Sequence, residues 1–433
     1  MRLRIEKAVY GGAGLAHQAE GEGAGRAVFV PFTLPGELVE ARLTEEKSGF
    51  GEAALVEVIE ASADRVAPGC GHFGECGGCQ YQHAKYGAQV GMKVGILRET
   101  LERAGVRELP EIEVHAGEEW GYRNRTRLRV AEVDGFLRVG YNRRGSNEML
   151  GVRECPILAP VLWRAAEALV QVADSAGGKW GPGVVEVEFF ATADESKLQM
   201  TVFVRNERVA GFEEFCGAMK RVVPELVGAG VALLPGAVGG RRAERPRMLR
   251  EWGAEGLSYE AVGDSYWVSR GGFFQVNRFL VDELVRVVTE GRKGLLAWDL
   301  YAGVGLFSRV LARGFERVVA VEAAAEDLAK SFKGKGKMAV AATTVEFLRR
   351  AVVQRERPEL VVMDPPRAGV GAEVCDLLGR VGATEVVYVS CDPVTLGRDL
   401  KALEGSGYRV VELHMVDLFP QTFHLETVAV LRK

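Results

Sequence analysis

The last third of the chain alternates short apolar runs with stretches of helical period. Four runs have the uniform apolar character of buried parallel strands, and they lie at 295–300, 318–322, 360–364 and 386–390. Two later runs, 409–415 and 427–431, are close enough along the chain to form a hairpin. The pattern predicts a doubly wound, Rossmann-like α/β domain over residues 266–433, with an antiparallel edge.

The first 60 residues have a different pattern, in which short strands predicted at 4–10, 27–30, 38–43 and 53–59 are separated by turns containing Gly or Pro. Four or five such strands without a helical period predict a small closed β-barrel over residues 1–62. Residues 63–265 combine strands predicted at 123–130, 184–190 and 198–204 with a helix predicted at 161–172, which indicates a central α+β domain. A second helical stretch, 90–105, we expect to pack on the C-terminal domain.

The composition is that of a folded, multidomain protein. The chain has 433 residues, of which 47% are hydrophobic and 26% charged, so a largely disordered chain is excluded. No apolar run approaches the roughly 18 residues of a membrane span, and the first residues lack the apolar stretch of a signal peptide. We therefore expect a cytoplasmic protein without a membrane partner, and a monomer.

The formal net charge of −4 hides local clusters of arginine. Residues 120–153 hold eight Arg against three acids, and residues 241–250 hold five Arg against one. The planar guanidinium fork suits phosphates and stacked bases, so the clusters indicate a specific polyanion, although solvated loops would look the same. On a single strand, the alternating Arg123, Arg125, Arg127 and Arg129 would share one face.

The first predicted strand of the C-terminal domain runs into a glycine-containing turn. Gly303 and Gly305 follow Asp299, and Glu322 ends the next strand. Glycines let a ligand approach the backbone, and an acid at that place can bind a ribose diol. Ser308 stands where a dinucleotide fingerprint has its third glycine, which leaves NAD binding as an alternative, as well as a tight turn without a ligand.

Three chemically active side chains follow or precede strands at the same predicted edge. Asp364 begins the stretch Asp-Pro-Pro-Arg367, Cys391 ends a strand, and Glu426 precedes the last one. A cysteine at a strand end is usually buried and inert. Beside a carboxylate, however, it suits methylation of uracil carbon 5, where a thiolate adds at carbon 6 and a base later removes the carbon 5 proton.

These motifs, taken in order, resemble the 5-methyluridine RNA methyltransferases over the whole chain. The matching stretches are Gly272-Phe-Phe-Gln275-Val-Asn277, Asp299-Leu-Tyr-Ala-Gly-Val-Gly305, Val321-Glu322, Asp364-Pro-Pro-Arg367, Ser390-Cys391-Asp-Pro and Phe419-Pro…His424-Leu-Glu426. The resemblance implies that Cys391 is the nucleophile and Glu426 the base. It implies an S-adenosylmethionine site formed by Gln275, Tyr301, Gly303, Gly305, Glu322 and Asp364.

Departures from the family pattern leave two positions unassigned. Thr343-Thr344 stands where an acid or Asn often recognises adenine, and Asp392 replaces the commoner Asn after the cysteine.

Four of the seven cysteines form a further group. Cys70, Cys76 and Cys79 lie within ten residues, and Cys155 follows in Arg-Glu-Cys-Pro-Ile. The spacing resembles the [4Fe–4S] site of the ribosomal-RNA branch of the family, and four thiolates are what such a cluster needs. From the residues alone Zn²⁺ remains possible, with His72 and His83 nearby.

Residues 1–60 resemble the TRAM barrel, an RNA-binding module. By analogy with the family, this barrel together with the four-cysteine site favours 23S ribosomal RNA as the substrate. Transfer RNA is the alternative substrate. An inactive RNA-binding iron–sulfur scaffold is the alternative to an enzyme.

Overall fold

A computed structural model provides the structure of the protein. It describes residues 1–18, 25–133, 136–175, 183–207, 209–234, 237–238, 241–242 and 247–433. The arginine cluster at 241–250 includes residues 243–246, which lie outside the described residues. No helix in the described ranges is long and apolar enough to cross a membrane.

The N-terminal residues form a six-stranded sheet. Its strands are β1 (Arg2–Arg4), β2 (Lys7–Ala8), β3 (Ala13–His17), β4 (Ala27–Pro31), β5 (Leu38–Lys47) and β6 (Phe50–Glu60). The order β1-β5-β6-β4-β3-β2 puts the two consecutive strands β1 and β2 at opposite ends of the sheet, so the sheet curls around the apolar side chains between them. The predicted strands are present, with β3 in addition; the stretch 4–10 is interrupted between β1 and β2.

The chain then enters α1 (Tyr86–Arg103) and β7 (Ile112–His115). Ile96, Leu97 and Leu101 of α1 are buried in the core of the C-terminal domain, as expected for the 90–105 helix. Strand β7 pairs with a strand of the C-terminal sheet. Residues 86–115 are therefore part of that domain's architecture, although they lie within the predicted central segment, 63–265.

The central part contains a seven-stranded sheet covered by two helices. Its elements are β8 (Arg125–Val133), β9 (Phe136–Asn142), β10 (Met149–Gly151), α2 (Pro160–Ser175), β11 (Val184–Ala191), β12 (Leu198–Val204), α3 (Phe212–Val222), β13 (Leu226–Leu233), β14 (Ala237–Val238), β15 (Arg241–Arg242), β16 (Arg247–Gly253), β17 (Gly256–Ala261) and β18 (Asp264–Ser269). The main sheet has the order β10-β9-β8-β11-β12-β13-β16, while β14–β15 and β17–β18 form separate pairs. The predicted α2, β8, β11 and β12 are confirmed.

The C-terminal part is the predicted doubly wound α/β domain. Its elements are α4 (Val281–Thr289), β19 (Gly294–Leu300), α5 (Leu306–Leu311), β20 (Phe315–Glu322), α6 (Glu326–Ser331), β21 (Lys337–Ala341), α7 (Thr344–Gln354), β22 (Leu360–Met363), α8 (Gly371–Val381), β23 (Glu385–Ser390), α9 (Pro393–Gly405), β24 (Arg409–Val416) and β25 (Glu426–Arg432). The sheet order is β21-β20-β19-β22-β23-β25-β24-β7. Strand β25 is antiparallel to both neighbours, which confirms the predicted antiparallel edge hairpin.

Each central strand of this sheet is buried on both faces, which explains the uniform apolar runs. In β20, Val318 and Ala320 pack toward α4, α5 and α6, whereas Val319 and Val321 pack toward α1, α7, α8 and α9. Helices on both faces leave the strand ends as the accessible edge of the domain, and ligands of such sheets bind at the carboxyl edge.

Candidate active site

The sheet brings three sequence-predicted side chains to its carboxyl edge. Asp364 follows β22, Cys391 follows β23, and Glu426 is the first residue of β25. Because β25 runs antiparallel to β23 with Ser390 opposite Thr427, Glu426 lies next to Cys391 across the pair. Gln275 completes the group, since its amide Nε2 donates a hydrogen bond of 3.3 Å to Asp364 Oδ2.

Burial dominates the electrostatics of these groups. It raises the pKa of Asp364 to about 7, with a contribution from the nearby charge of Asp299. Burial and then Asp364 raise the pKa of Glu426 well above its ordinary value. Burial and then Glu426 raise the pKa of Cys391 to about 11, against the lowering effect of Arg367. The thiol and the carboxyls therefore influence one another directly.

The rim of this site contains three residues that the sequence did not assign. Arg367 Nη2 lies 3.2 Å from the Nδ1 atom of His424. Burial and the Arg367 charge lower the pKa of His424 to about 4, so its imidazole is neutral. Tyr10 reaches the rim from the N-terminal sheet, and its ring contacts Phe423 edge-on at 5.4 Å. Arg367 and His424 belong to the motifs Asp364-Pro-Pro-Arg367 and Phe419-Pro…His424-Leu-Glu426, whereas nothing in the sequence indicated Tyr10.

Asp392 begins α9 as its N-terminal cap. Its Oδ1 accepts hydrogen bonds of 3.0 Å from the backbone nitrogens of Val394 and Thr395. Its Oδ2 accepts a 3.2 Å hydrogen bond from the hydroxyl of Tyr10. Asp is a favourable residue at this cap, so the replacement of Asn preserves the local hydrogen bonding beside Cys391.

The glycine-containing turn after β19 has the backbone that a close ligand requires. Tyr301, Gly303 and Gly305 all have positive φ, at 62°, 55° and 87°. A side chain at Gly303 would meet no protein atom within 4 Å, so space lies in front of this turn. Glu322 at the end of β20 accepts hydrogen bonds of 3.0 Å from the backbone nitrogens of Gly303 and Ala324. The predicted acid and the turn are thus in direct contact.

Thr343 and Thr344 have structural partners. Thr343 caps α7 and shares a capping box with Glu346. Thr344 is buried, and its side chain lowers the pKa of Tyr301 against the larger effect of burial, which raises it.

Other parts of the chain hold the loop 417–424 and the segment around Gln275. Lys93 of α1 is buried and donates hydrogen bonds to Asp417 Oδ1 at 2.6 Å and to the backbone oxygen of Phe419 at 2.9 Å. Asn124, at the start of the central sheet, donates from Nδ2 to the backbone oxygen of Gln275 at 3.0 Å. The site geometry therefore depends on the central segment as well as on the C-terminal sheet.

The four predicted cluster cysteines belong to one region of the central segment. The backbone nitrogen of Gly78 donates to Cys76 Sγ at 3.5 Å, and the hydroxyl of Tyr141 donates to Cys155 Sγ at 3.6 Å. Cys76 also forms an isolated β-bridge with Arg143. Among the residues that the structure describes, no three of the sulfur atoms of Cys70, Cys76, Cys79 and Cys155 lie within 4.8 Å of one another.

Neither nearby histidine is placed as an evident ligand. His72 Nε2 accepts a 2.9 Å hydrogen bond from the backbone nitrogen of Arg153. His83 is buried, and its ring lies 5.6 Å from that of Phe73 and 6.3 Å from that of Phe32.

The arginines of β8 differ from one another in their surroundings. Arg123 precedes the strand, so Arg125, Arg127 and Arg129 are the three that share its face. Arg125 stacks on Phe190 and pairs with Glu188, and Arg127 stacks on Phe203 and pairs with Glu186. The condition for a shared face is therefore met by three of the four arginines, because Arg123 lies just before the strand.

Beside this face is a groove of about 540 Å³. It is lined by Arg127, Arg129 and Arg143 together with Gly77 and Gly78 of the cysteine loop. Arg129 Nη1 donates to Asn142 Oδ1 at 3.0 Å and to the backbone oxygen of Asn147 at 2.7 Å, at the surface. The basic surface of the central sheet is thus next to the four cysteines.

The sequence is similar to RNA methyltransferases over its whole length. The family model of the tRNA (uracil-5-)-methyltransferases matches residues 85–433, and the TRAM domain model matches residues 1–56. An uncharacterized RNA methyltransferase of Aquifex aeolicus is 34% identical over 100% of this chain and 98% of its own length. The 23S rRNA (uracil(1939)-C(5))-methyltransferase RlmD of Chromohalobacter salexigens is also 34% identical, over 100% of this chain and 89% of its own length.

Among solved structures, the tRNA (uracil-54, C5)-methyltransferase of Pyrococcus abyssi in complex with S-adenosyl-L-homocysteine has the same fold. The TM-score is 0.76, with 22% identity and 99% of each chain covered. The fold and the site thus define an S-adenosylmethionine-dependent methyltransferase. The chain belongs to the tRNA (uracil-5-)-methyltransferase family with an N-terminal TRAM domain, and it is an RNA uracil-C5 methyltransferase. This family membership decides against the NAD-linked alternative.

Proposed function

We propose that this protein methylates carbon 5 of a uridine in 23S ribosomal RNA through a covalent bond between Cys391 and the base. The observation that supports the proposal most strongly is the convergence of Cys391, Asp364 and Glu426 at one sheet edge, with Gln275 hydrogen-bonded to Asp364. Relatives named as 23S rRNA methyltransferases at 34% identity favour ribosomal RNA, whereas the tRNA enzyme supports the fold alone at 22%.

In the proposed reaction Cys391 supplies the nucleophile. Its thiolate adds to carbon 6 of the uracil, and the electron pair displaced onto carbon 5 takes the methyl group as the donor's carbon–sulfur bond breaks. Glu426 then removes the proton from carbon 5, and the carbon 6–sulfur bond breaks to return the thiolate. Burial and the neighbouring Asp364 raise the pKa of Glu426, which makes its ionised form a stronger base.

We assign the methyl donor's site to Tyr301, Gly303, Gly305 and Glu322, with Gln275 and Asp364 at the boundary with the uracil. The open space at Gly303 fits a ligand that approaches the backbone. Glu322 already accepts from two backbone nitrogens, yet a carboxylate has about four acceptor positions and so retains capacity for a ribose hydroxyl. S-adenosylmethionine supplies an electrophilic methyl group when it is bound there.

Substitution of the two reacting side chains tests the covalent route. Cys391→Ala removes the thiol but not the donor site, so methyl transfer should be lost while S-adenosylmethionine binding persists. Glu426→Gln retains shape and hydrogen-bonding capacity but lacks basicity, so it should accumulate a protein–RNA adduct that survives denaturing electrophoresis and carries labelled methyl groups. Normal turnover by Cys391→Ala would refute the covalent bond, and an inactive wild-type protein would favour the scaffold alternative.

The identity of the RNA requires a separate experiment. We expect a strain lacking this protein to lose 5-methyluridine from 23S ribosomal RNA and to retain it in transfer RNA. Loss of 5-methyluridine from transfer RNA and its retention in 23S ribosomal RNA would instead identify transfer RNA as the substrate of the same reaction.

We further propose that Cys70, Cys76, Cys79 and Cys155 hold a [4Fe–4S] cluster. Sulfurs around a tetrahedral Zn²⁺ would be about 3.8 Å apart for Zn–S bonds of about 2.3 Å. In the described residues no three of these four sulfur atoms lie within 4.8 Å of one another. A cluster accommodates wider spacing because each cysteine binds a different iron, and N–H and O–H donors to the sulfurs suit it.

Metal analysis of anaerobically purified protein tests the cluster. We expect about four irons per chain in the wild type, and their loss in Cys76→Ser. The buried Cys216 lies outside the group, so Cys216→Ser provides the matched control. One zinc in place of iron would contradict the proposal.

A further inference from the structure

Two histidines and two glutamates meet at the sheet edge formed by β7 and β24, and the proposed reaction uses none of these four residues. Glu113 and His115 belong to β7, His414 belongs to β24, and Glu283 belongs to α4. The strands are parallel, with His414 opposite Glu113. Residues two apart on a strand share a face, so His115 points to the same side as Glu113.

Three of these side chains present their ligand atoms to a common point. His115 Nε2 lies 3.2 Å from His414 Nδ1. The Glu113 carboxylate spans the pair, with Oε1 at 3.7 Å from His115 Nε2 and Oε2 at 3.5 Å from His414 Nδ1. Two nitrogens bound to one tetrahedral ion at about 2.0–2.1 Å are separated by about 3.3 Å. The separations are those of a metal site with two nitrogen ligands and one carboxylate.

Glu283 determines which nitrogen of His115 is available. Its Oε1 lies 2.6 Å from His115 Nδ1, and an ionised carboxylate can only accept a hydrogen bond. Nδ1 therefore carries the proton, and a neutral His115 presents the Nε2 lone pair toward His414. Arg286 in turn holds Glu283 through two contacts of 2.6 and 2.7 Å. A carboxylate behind a histidine is the support that orients histidines in protein metal sites.

We propose that Glu113, His115 and His414 bind one divalent transition-metal ion, with Zn²⁺ as the representative. The two ring nitrogens 3.2 Å apart can share either a metal ion or the proton of an N–H···N hydrogen bond, and the carboxylate of Glu113 within 3.7 Å of both favours the ion. The cluster is closed on one side, because the side chains of His115 and His414 are only 6% and 12% exposed. Glu113 is 64% exposed on the other side, where an ion can enter and a water can complete the coordination. The bound ion would join edge strand β7 to β24 and, through Glu283, to α4.

Zinc binding by full-length, anaerobically purified protein tests this site, with His414→Gln as the variant. The cysteine region is the same in every variant, so zinc taken up there cancels in the comparison. The matched control is His17→Gln, because His17 pairs with the carboxylate of Glu6 at 2.8 Å on the surface, without a second imidazole. We expect wild type and His17→Gln to retain one zinc per chain more than His414→Gln after equilibrium dialysis, and Mg²⁺ in tenfold excess not to compete.

A second variant keeps the test valid if loss of His414 disturbs the sheet. Glu113 is at the surface, and Glu113→Gln should leave the circular dichroism spectrum unchanged but weaken zinc binding at least tenfold. In crystals soaked with zinc, anomalous scattering should locate the ion between His115 Nε2 and His414 Nδ1. Equal zinc content in wild type and both variants would overturn the proposal and would assign the contact between the two rings to an N–H···N hydrogen bond.

Discussion

Cys391 is predicted to be a slow thiol in the protein without RNA. Burial and the charge of Glu426 raise its pKa from the ordinary 9.0 to about 11. At pH 8 about one thiol in a thousand is then ionised, against about one in ten for an ordinary cysteine. A thiolate of higher pKa is intrinsically more nucleophilic. With a Brønsted coefficient of about 0.4–0.5, a pKa higher by two makes the thiolate itself react roughly eightfold faster. Net alkylation should therefore be about tenfold slower than for an exposed thiol.

The assay is iodoacetamide alkylation as a function of pH, with each cysteine-containing peptide quantified by mass spectrometry. The rate at Cys391 should increase about tenfold per pH unit between pH 7 and pH 9 without levelling. Two variants move the curve in opposite directions. Glu426→Gln removes a nearby negative charge and should lower the pKa of the thiol, whereas Arg367→Gln removes a positive charge and should raise it. A plateau below pH 9 in the wild type, or a shift of both variants in the same direction, would refute the electrostatic reasoning.

Three more predictions concern stability and RNA binding. Burial raises the pKa of Asp364 in the folded state from 3.8 to about 7, so the protein should lose up to about 4 kcal/mol of stability as the pH rises through that range. The Asp364→Asn variant lacks this ionisation, so its thermal midpoint should rise relative to that of the wild type between pH 5 and pH 8. A difference in midpoint that stays constant over this range would contradict burial of an ionising carboxyl as the cause. Lys93→Met leaves Asp417 buried without its cation and should reduce the free energy of unfolding by about 3–5 kcal/mol in urea titrations, while additional replacement of Asp417 by Leu should restore most of it. Arg129→Gln should weaken RNA binding and reduce the salt slope by about one, whereas Arg125→Gln should chiefly lower the thermal midpoint; identical salt slopes for wild type and Arg129→Gln would assign that face another role.

The spacing of apolar residues was sufficient to predict the C-terminal domain. Its strands are buried on both faces and so are uniformly apolar, and its helices are buried on one face and so have a helical period. The predicted run 386–390 agrees with β23 at Glu385–Ser390, and 427–431 agrees with β25 at Glu426–Arg432. Strand β21 was not predicted, since Lys337–Ala341 lies at the sheet's outer edge and has no fully buried residue. Edge position weakens the apolar pattern on which such predictions depend.

The candidate site was predicted only where motif and strand end coincide. Asp364 and Cys391 each adjoin an apolar strand, so the position of the strand indicates the position of the side chain. Tyr10 is separated from Asp392 by 382 residues, and the whole central segment lies between it and the motifs. Its place at the rim depends on how the N-terminal sheet packs against the C-terminal domain, and the hydrophobic pattern of the sequence does not predict that packing. The same holds for β7, whose pairing with β24 joins residues about 300 apart.

These distant contacts suggest how RNA binding is connected to the chemistry. The TRAM domain contributes Tyr10 to the rim, where its hydroxyl binds Asp392, the residue next to Cys391 and the cap of α9. The central segment contributes Asn124, which holds the backbone at Gln275. An RNA that binds the N-terminal sheet and the arginine groove therefore contacts the same elements that position the thiol and the Gln275–Asp364 pair. Through these two hydrogen bonds the N-terminal sheet and the central segment contact the residues that adjoin Cys391 and Asp364, so the active site is built from all three parts of the chain.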